Sequence, residues 1–152
     1  MSSTPASDAD GAAVDENDAH ANERVFRLIG IGGGATSLVG FTAVGAIALE
    51  SLAYGAVCGV FAGVGSALFL PWFLGLSAAQ EAADGEISLS DAADGVPYSA
   101  QRGVFGLGLE IGAVVMIAVA LTLDGADLLV GVPAALAVAL AVYFVGSVAL
   151  GR

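Results

Sequence analysis

Four long apolar runs dominate the chain, at about residues 25–49, 52–76, 103–123 and 128–150. Each has the roughly 20 consecutive apolar residues that a helix needs to cross a bilayer. Two very short turns and one longer polar loop, at about 77–101, separate the runs. Short turns force consecutive helices to be antiparallel neighbours. The pattern therefore predicts an all-α integral membrane protein, a four-transmembrane-helix bundle in up-down-up-down order.

The basic residues predict the orientation of this bundle. All four are arginines at those ends of the runs that would lie on one side of a membrane: Arg24, Arg27, Arg102 and Arg152. Cytoplasmic loops of membrane proteins carry an excess of Lys and Arg. The chain is therefore predicted to lie in the cell membrane with both termini on the cytoplasmic side. The charged residues of the opposite turns are all acids, which are interpreted as solvated, with a weak cation site as the alternative: Glu50, Asp124 and Asp127.

Residues 1–22 form a separate acidic segment before the four-helix domain, which covers residues 23–152. The segment is rich in Ser, Ala, Asp and Glu and has almost nothing apolar to bury, so a disordered cytoplasmic tail is predicted. A cleavable export signal is not expected, because no positive segment precedes a short apolar core. His20, the only histidine, lies without metal-ligating partners and is interpreted as solvated.

The acidic charge of the chain is concentrated in two segments. The chain has 152 residues, 57% of them hydrophobic, with a mean hydropathy of +0.88 and a formal net charge of −11 at pH 7. Eleven of the fifteen acids lie in Asp8–Glu23 and Glu81–Asp94. A polyanionic surface repels nucleic acid and anionic headgroups, which argues against nucleic acid as a partner and against electrostatic docking on lipid.

Lysine is absent, while Ala, Gly, Val and Asp are abundant. This acidic, lysine-poor composition is halophile-like: it resembles that of proteins from salt-loving archaea, and it names no family. The alternative is an ordinary acidic tail on a membrane protein from a GC-rich genome. The lone Cys58 excludes an intrachain disulfide and offers no metal cluster.

The second apolar run has a face of small side chains. At 100° per residue they fall within one narrow arc: Gly55, Gly59, Ala62, Gly63 and Ser66. Small residues four apart let another helix approach closely in lipid, so this is predicted to be a glycine-rich helix-packing face. Gly108 and Gly112 are predicted to do the same in the third run. The alternative is that glycine, at 22 residues, recurs at this spacing by chance.

A short pattern also suggests that the two halves are related. Three positions recur at an offset of 78, so that Arg24, Gly30 and Gly34 correspond to Arg102, Gly108 and Gly112. A helical hairpin spans the membrane twice, so such a repeat would be parallel and not inverted. Three matches in a glycine-rich chain leave both duplication and chance open.

Glu110 is the one ionisable side chain well inside a predicted span. It follows Arg102 by eight residues, which is about 12 Å along a helix. Burial at that depth disfavours the charged carboxylate, and an acid inside a membrane is a candidate functional residue. The alternative is a protonated or snorkelling side chain that only hydrogen-bonds another helix. Gly108 and Gly112 point away from it on a helical wheel. Glu110 is therefore expected to face another helix or a water-lined crevice, with Ser or Thr hydroxyls of the first helix as partners.

Two functions fit this pattern. The leading hypothesis is a non-enzymatic assembly or interaction role in the lipid bilayer, as a homo-oligomer or with another membrane subunit, because close-packing glycine faces are abundant in the spans and polar groups are few. The alternative is a small transporter or channel component that uses Glu110 to handle a proton or cation. The apolar region has no nucleophile with a base, no carboxylate pair and no metal cluster. No enzyme activity, catalytic residue, cofactor or metal site is therefore predicted.

Overall fold

Four long helices make up almost all of the described structure. The structure, a computed structural model, describes residues 8–82, 88, 91–92, 96 and 98–150, with side chains from residue 24 onward in those ranges. The helices are α1 (Asp8–Ala48), α2 (Leu52–Ala82), α3 (Ala100–Thr122) and α4 (Leu128–Ala149). The prediction of an all-helical chain is confirmed for the described residues.

All four helices are long and apolar enough to span a membrane. The candidate spans are Arg24–Ala48, Leu52–Ala82, Ala100–Thr122 and Leu128–Ala149. Their ends lie close to those of the predicted runs, because the change from apolar to polar residues is a local property of the sequence. α2 is the exception, since it continues to Ala82 and so takes in the first residues of the predicted polar loop.

α1 begins well before its apolar part. Its first residue is Asp8, whereas composition predicts a disordered tail over residues 1–22. Extension of an existing helix avoids the cost of nucleation, which favours a helix here. Residues 1–7 lie outside the described residues.

The helices pack in chain order, α1 on α2, α2 on α3, and α3 on α4. In the first pair, Gly45 approaches Gly55 near the short turn, and Gly34 approaches Gly63 further from it. The contacts of α1 and α2 therefore run in opposite chain directions. No side chain separates the two backbones at these points, so the two helices approach closely.

α1 and α4 lie at the two edges of this arrangement. Only 11% of the most apolar stretch of α1 and 17% of that of α4 is buried, against 44% in both α2 and α3. Large apolar side chains are exposed along both edge helices, among them Leu28, Val39 and Ile47 in α1 and Leu129, Phe144 and Val148 in α4. Exposed apolar surface on this scale is typical of contact with lipid or with another protein.

Two buried clusters lie near opposite ends of the α2–α3 pair. One contains Trp72, Leu76, Ala92, Ala100 and Val104. The other contains Tyr54, Cys58, Met116, Ala120 and Ala135. In the second cluster the Tyr54 hydroxyl donates a hydrogen bond of 2.7 Å to the carbonyl oxygen of Met116. This bond joins α2 to α3 at the end where the short turns lie.

The two short turns share a backbone feature. Glu50 and Asp124 both have a φ of 51°, in the left-handed region that is uncommon for residues other than glycine. These residues are 74 positions apart, whereas the glycine pattern predicts a repeat at an offset of 78. The turns and the glycines therefore do not share one offset.

Candidate functional site

Three side chains form a hydrogen-bonded chain across α1, α2 and α3. Ser66 Oγ of α2 donates to Glu110 Oε1 of α3 at 2.9 Å. Ser37 Oγ of α1 lies 2.8 Å from Ser66 Oγ. A serine hydroxyl has a single hydrogen, so when Ser66 donates to Glu110, Ser37 is the donor to Ser66. Both hydroxyl groups then point their hydrogens towards the carboxylate, which joins the three helices.

Glycines bring α2 and α3 close enough for this contact. A Cβ added to Gly65 would lie 2.6 Å from the carbonyl oxygen of Gly106 and 2.8 Å from the backbone nitrogen of Glu110. A Cβ added to Gly106 would lie 2.7 Å from the carbonyl oxygen of Gly65. Both obstacles are backbone atoms, which cannot rotate away. A side chain at either position would push the helices apart and lengthen the bond between Ser66 and Glu110.

The three side chains differ in exposure. Ser66 is only 3% exposed, while Ser37 and Glu110 are half-buried. Among the described residues, Glu110 accepts a side-chain hydrogen bond only through Oε1, from Ser66. The buried hydroxyl is therefore fully used between two partners, and the second carboxyl oxygen remains available to water, a proton or a cation.

The direct partner of Glu110 differs from the expected one. The sequence predicts a hydroxyl of the first helix as the partner, whereas the structure places Ser66 of α2 next to the carboxyl and Ser37 of α1 behind it. In the sequence, Ser66 belongs to a pattern of small residues that predicts helix packing, and Glu110 is a candidate because of its charge. Their pairing depends on the register between α2 and α3, and no pattern within either helix contains that register.

The other predicted packing residues lie in two different interfaces. Gly55, Gly59 and Gly63 face α1, where added Cβ atoms would lie 2.5 Å from the carbonyl oxygen of Thr42, 2.5 Å from that of Leu38 and 2.8 Å from that of Gly34, respectively. Gly108 and Gly112 face α4, where added Cβ atoms would lie 2.8 Å from the carbonyl oxygens of Ala139 and Ala135. Every one of these close approaches is made within one copy of the chain.

At the end with the short turns, Glu50 and Asp124 line one crevice of about 260 Å³. Asp127 is used differently: its carboxylate caps α4 by accepting a hydrogen bond of 2.8 Å from the backbone N–H of Leu129. The described residues contain no group of three or more His, Cys, Asp or Glu side chains that could hold a metal ion. The crevice thus brings two of the three acids together.

A second crevice, of about 320 Å³, lies at the opposite end, between α1, α2 and the start of α3. We call it the arginine crevice, because Arg27 and Arg102 both line it. Arg24, one turn earlier in α1, is not part of its wall. The charge pattern of the sequence predicts that these arginines lie on one side of the bundle, but it does not predict that two of them line one cavity.

No family model matches the chain, and no curated protein or solved structure matches it. Function is therefore inferred from the chain's own residues. The geometry offers three features: the chain of Ser37, Ser66 and Glu110, the bare outer face of α1, and the arginine crevice.

Proposed function

We propose that this chain is a multi-pass membrane protein with four spanning helices in up-down-up-down order and both termini on the cytoplasmic side of the cell membrane. Its four long apolar helices support insertion. The arginines at the starts of α1 and α3 support the orientation, since positive residues concentrate on the cytoplasmic side. Reporters fused after Arg152 and inserted at Gly125 test it. A C-terminus reached from outside the cell would exclude this orientation.

Within the membrane, the proposed role is non-enzymatic assembly, in which α1 of one copy packs against α1 of a second copy. The observation that supports this role is the outer face of α1. Gly32 and Gly40 have no neighbouring atom within 4 Å of the position where a Cβ would be built. Packing within one copy therefore gives no reason for glycine at either position, although glycine inside a helix is about 0.5–1 kcal/mol less favourable than alanine.

The spacing of this face suits contact between two identical helices. Thr36 lies midway between Gly32 and Gly40, so small residues recur every four positions. Val39 is 65% exposed beside them. In lipid, such a small-xxx-small surface permits close backbone approach, and large neighbours add van der Waals contact. A second copy presents the same surface, and a two-fold axis lets a surface pair with itself.

The test compares a substitution on the outer face of α1 with one in the interface between α1 and α2. We expect Gly40→Leu to shift the chain from dimer to monomer while each copy stays folded. Gly59→Leu should instead destroy the fold, because a side chain there collides with Thr42 Oγ1 of the same copy. Val148→Leu, on the exposed side of α4, is the matched control. The measurements are mass by light scattering in detergent and energy transfer between labelled copies in vesicles. A dimer that survives both Gly32→Leu and Gly40→Leu would contradict the proposal.

A second candidate function is proton or cation handling by Glu110. The chain from Ser37 through Ser66 to Glu110 supports it, because linked hydroxyl groups can pass a proton to or from a carboxyl. An acid inside a membrane domain is a candidate for such transfer. The second Glu110 oxygen, free of described side-chain donors, would be the exchanging atom.

Glu110→Gln separates this function from a purely structural role. Glutamine keeps the size of the side chain and its hydrogen bonding but cannot titrate. If Glu110 carries ions, flux into reconstituted vesicles falls while the variant stays folded. If the protein is an assembly scaffold, the variant folds and associates like wild type without any change in flux. Normal flux in a well-folded variant would end the transport hypothesis.

A further inference from the structure

The arginine crevice has one charged wall and one apolar wall. Arg27 of α1 and Arg102 of α3 supply the charge, with Ser99 beside Arg102. Ile31, Leu68 and Pro71 supply the apolar side. Its volume of about 320 Å³ lies within the ~300–1,000 Å³ range of ligand pockets. A ligand that matches both walls has an anionic group next to a hydrocarbon part.

The two guanidinium groups are available to such a ligand. Neither Arg27 nor Arg102 forms an ion pair or a side-chain hydrogen bond with any part of the chain that the structure describes. This is unexpected in a chain with fifteen acids and only four basic residues. Two positive charges that share a cavity repel each other, and an anion between them replaces that repulsion with two attractions.

The start of α3 adds hydrogen-bond donors at the same place. The first intrahelical bond there is that of the Arg102 N–H to the carbonyl oxygen of Ser99, at 3.0 Å. The backbone N–H groups of Ala100 and Gln101 come before it and have no partner inside the helix. Ser99 occupies the N-cap position, yet its hydroxyl makes no capping hydrogen bond. Unused N–H groups at a helix N-terminus favour an anion, and here they support the two arginines.

The depth of the crevice suits a lipid headgroup. Arg27 lies near the start of the candidate span Arg24–Ala48, and Arg102 near the start of Ala100–Thr122. Both guanidinium groups therefore lie at the same boundary of the apolar region. Ile31 is 58% exposed, so the apolar wall is open to the surroundings of the bundle. An acyl chain could follow that wall while its phosphate stays between the arginines.

We propose that the arginine crevice binds the phosphate of an anionic phospholipid of the cytoplasmic leaflet, with Arg27 and Arg102 as its ligands. Basic pockets between spanning helices bind anionic headgroups in this way. The proposal rests on the membrane insertion proposed above. The net charge argues against lipid docking only if the acids surround the crevice. Eleven of the fifteen acids instead lie in the sequence segments 8–23 and 81–94, and none of the described residues that line the crevice is acidic.

The experiment uses the full chain in nanodiscs of phosphatidylcholine with a small, varied fraction of phosphatidylglycerol. Bound phosphatidylglycerol is counted by native mass spectrometry, and the thermal midpoint is measured in parallel. The variants are Arg27→Gln, Arg102→Gln and the double substitution. Arg24→Gln is the matched control, because it removes the same charge from α1 outside the crevice. Salt is kept at about 0.1 M, where charges more than about 10 Å apart are screened.

We expect each crevice substitution to weaken phosphatidylglycerol binding about tenfold, as for loss of a hydrogen bond between charged groups, and Arg24→Gln to leave it unchanged. The proposal is overturned if the double variant binds phosphatidylglycerol as well as wild type does, or if Arg24→Gln loses as much binding as the crevice variants. Inorganic phosphate that displaces the lipid and raises the thermal midpoint by itself would assign the site to a free anion and overturn the lipid assignment. A wild-type chain that fails to enter nanodiscs would instead count against membrane insertion.

Discussion

Ser66 donates to Glu110 at 2.9 Å, and this bond joins α2 to α3 across 44 residues of sequence. The Tyr54 hydroxyl makes a second bond between the same helices, to the Met116 carbonyl oxygen. Ser66 and Tyr54 are twelve residues apart on α2, which is about 18 Å along the helix axis. Two polar contacts this far apart set both the register and the angle of the pair.

Ser66→Ala should destabilise the folded chain by about 0.5–2 kcal/mol, because it leaves the Glu110 carboxyl and the Ser37 hydroxyl without their shared partner. Unfolding in mixed micelles of mild detergent and dodecyl sulfate measures this. Ser77→Ala is the control, since that exposed hydroxyl bonds only the carbonyl of Phe73 in its own helix. Equal effects of the two substitutions would show that the contact between Ser66 and Glu110 adds nothing to stability.

Alanine substitutions of two glycines should have opposite effects. Gly65→Ala forces a Cβ against backbone atoms of Gly106 and Glu110, and a loss of about 1–3 kcal/mol is expected. Gly40→Ala meets no neighbouring atom and should be neutral or stabilising by up to about 1 kcal/mol, because alanine is the better helix former. Thermal midpoints measured in detergent give the sign of the stability change for each variant. A stabilised Gly65→Ala variant would mean that α2 and α3 are further apart than described.

Tyr54 allows its hydroxyl and its ring to be separated. Tyr54→Phe removes only the hydrogen bond to Met116 and should cost about 0.5–1.5 kcal/mol. Tyr54→Ala also empties the space of a side chain that is 1% exposed, so a loss of about 3–5 kcal/mol is expected. Unfolding of both variants under one set of conditions gives the difference. If phenylalanine were as damaging as alanine, the hydrogen bond and not the packing would dominate this cluster.

Asp127 should stabilise α4 through the hydrogen bond that its side chain accepts at the N-cap, and not through its negative charge. Asp127→Ala removes the acceptor for the Leu129 N–H and should destabilise α4 by about 0.5–2 kcal/mol. Asp127→Asn keeps a good N-cap residue and should retain most of the stability. Hydrogen exchange in the first turn of α4 reports the difference. If asparagine is as harmful as alanine, the negative charge itself is needed at this turn.

The ends of the helices were largely predictable because each depends on its own stretch of sequence. The predicted starts of the second and fourth runs coincide with those of α2 and α4, at Leu52 and Leu128. Glu110 was predictable as a candidate for the same reason, since an acid in an apolar run is visible without a structure. The helix that α1 forms before Arg24 was not, because polar composition gave no sign that a neighbouring helix would extend into it.

Contacts between helices were not predictable from these local patterns. The pairing of Ser66 with Glu110 depends on how far α2 slides along α3, and the approach of Gly65 to Gly106 limits that sliding. The arginine crevice has the same origin. The distribution of charge puts Arg24 and Arg27 together at one boundary, but only the packing of three helices brings Arg27, and not Arg24, into the lining of one crevice with Arg102.

The fluorescence of Trp72 reports on the contact between α2 and α3. This residue is the only tryptophan of the chain, it is 8% exposed, and its ring lies against Gly103 of α3. Gly103 directly follows Arg102, so the indole reports on the helix that carries one wall of the arginine crevice. Separation of α2 from α3 at this end would admit water to the ring and move its emission to longer wavelength. The protein thus contains a native optical probe, whose fluorescence can follow this contact in a membrane without any attached label.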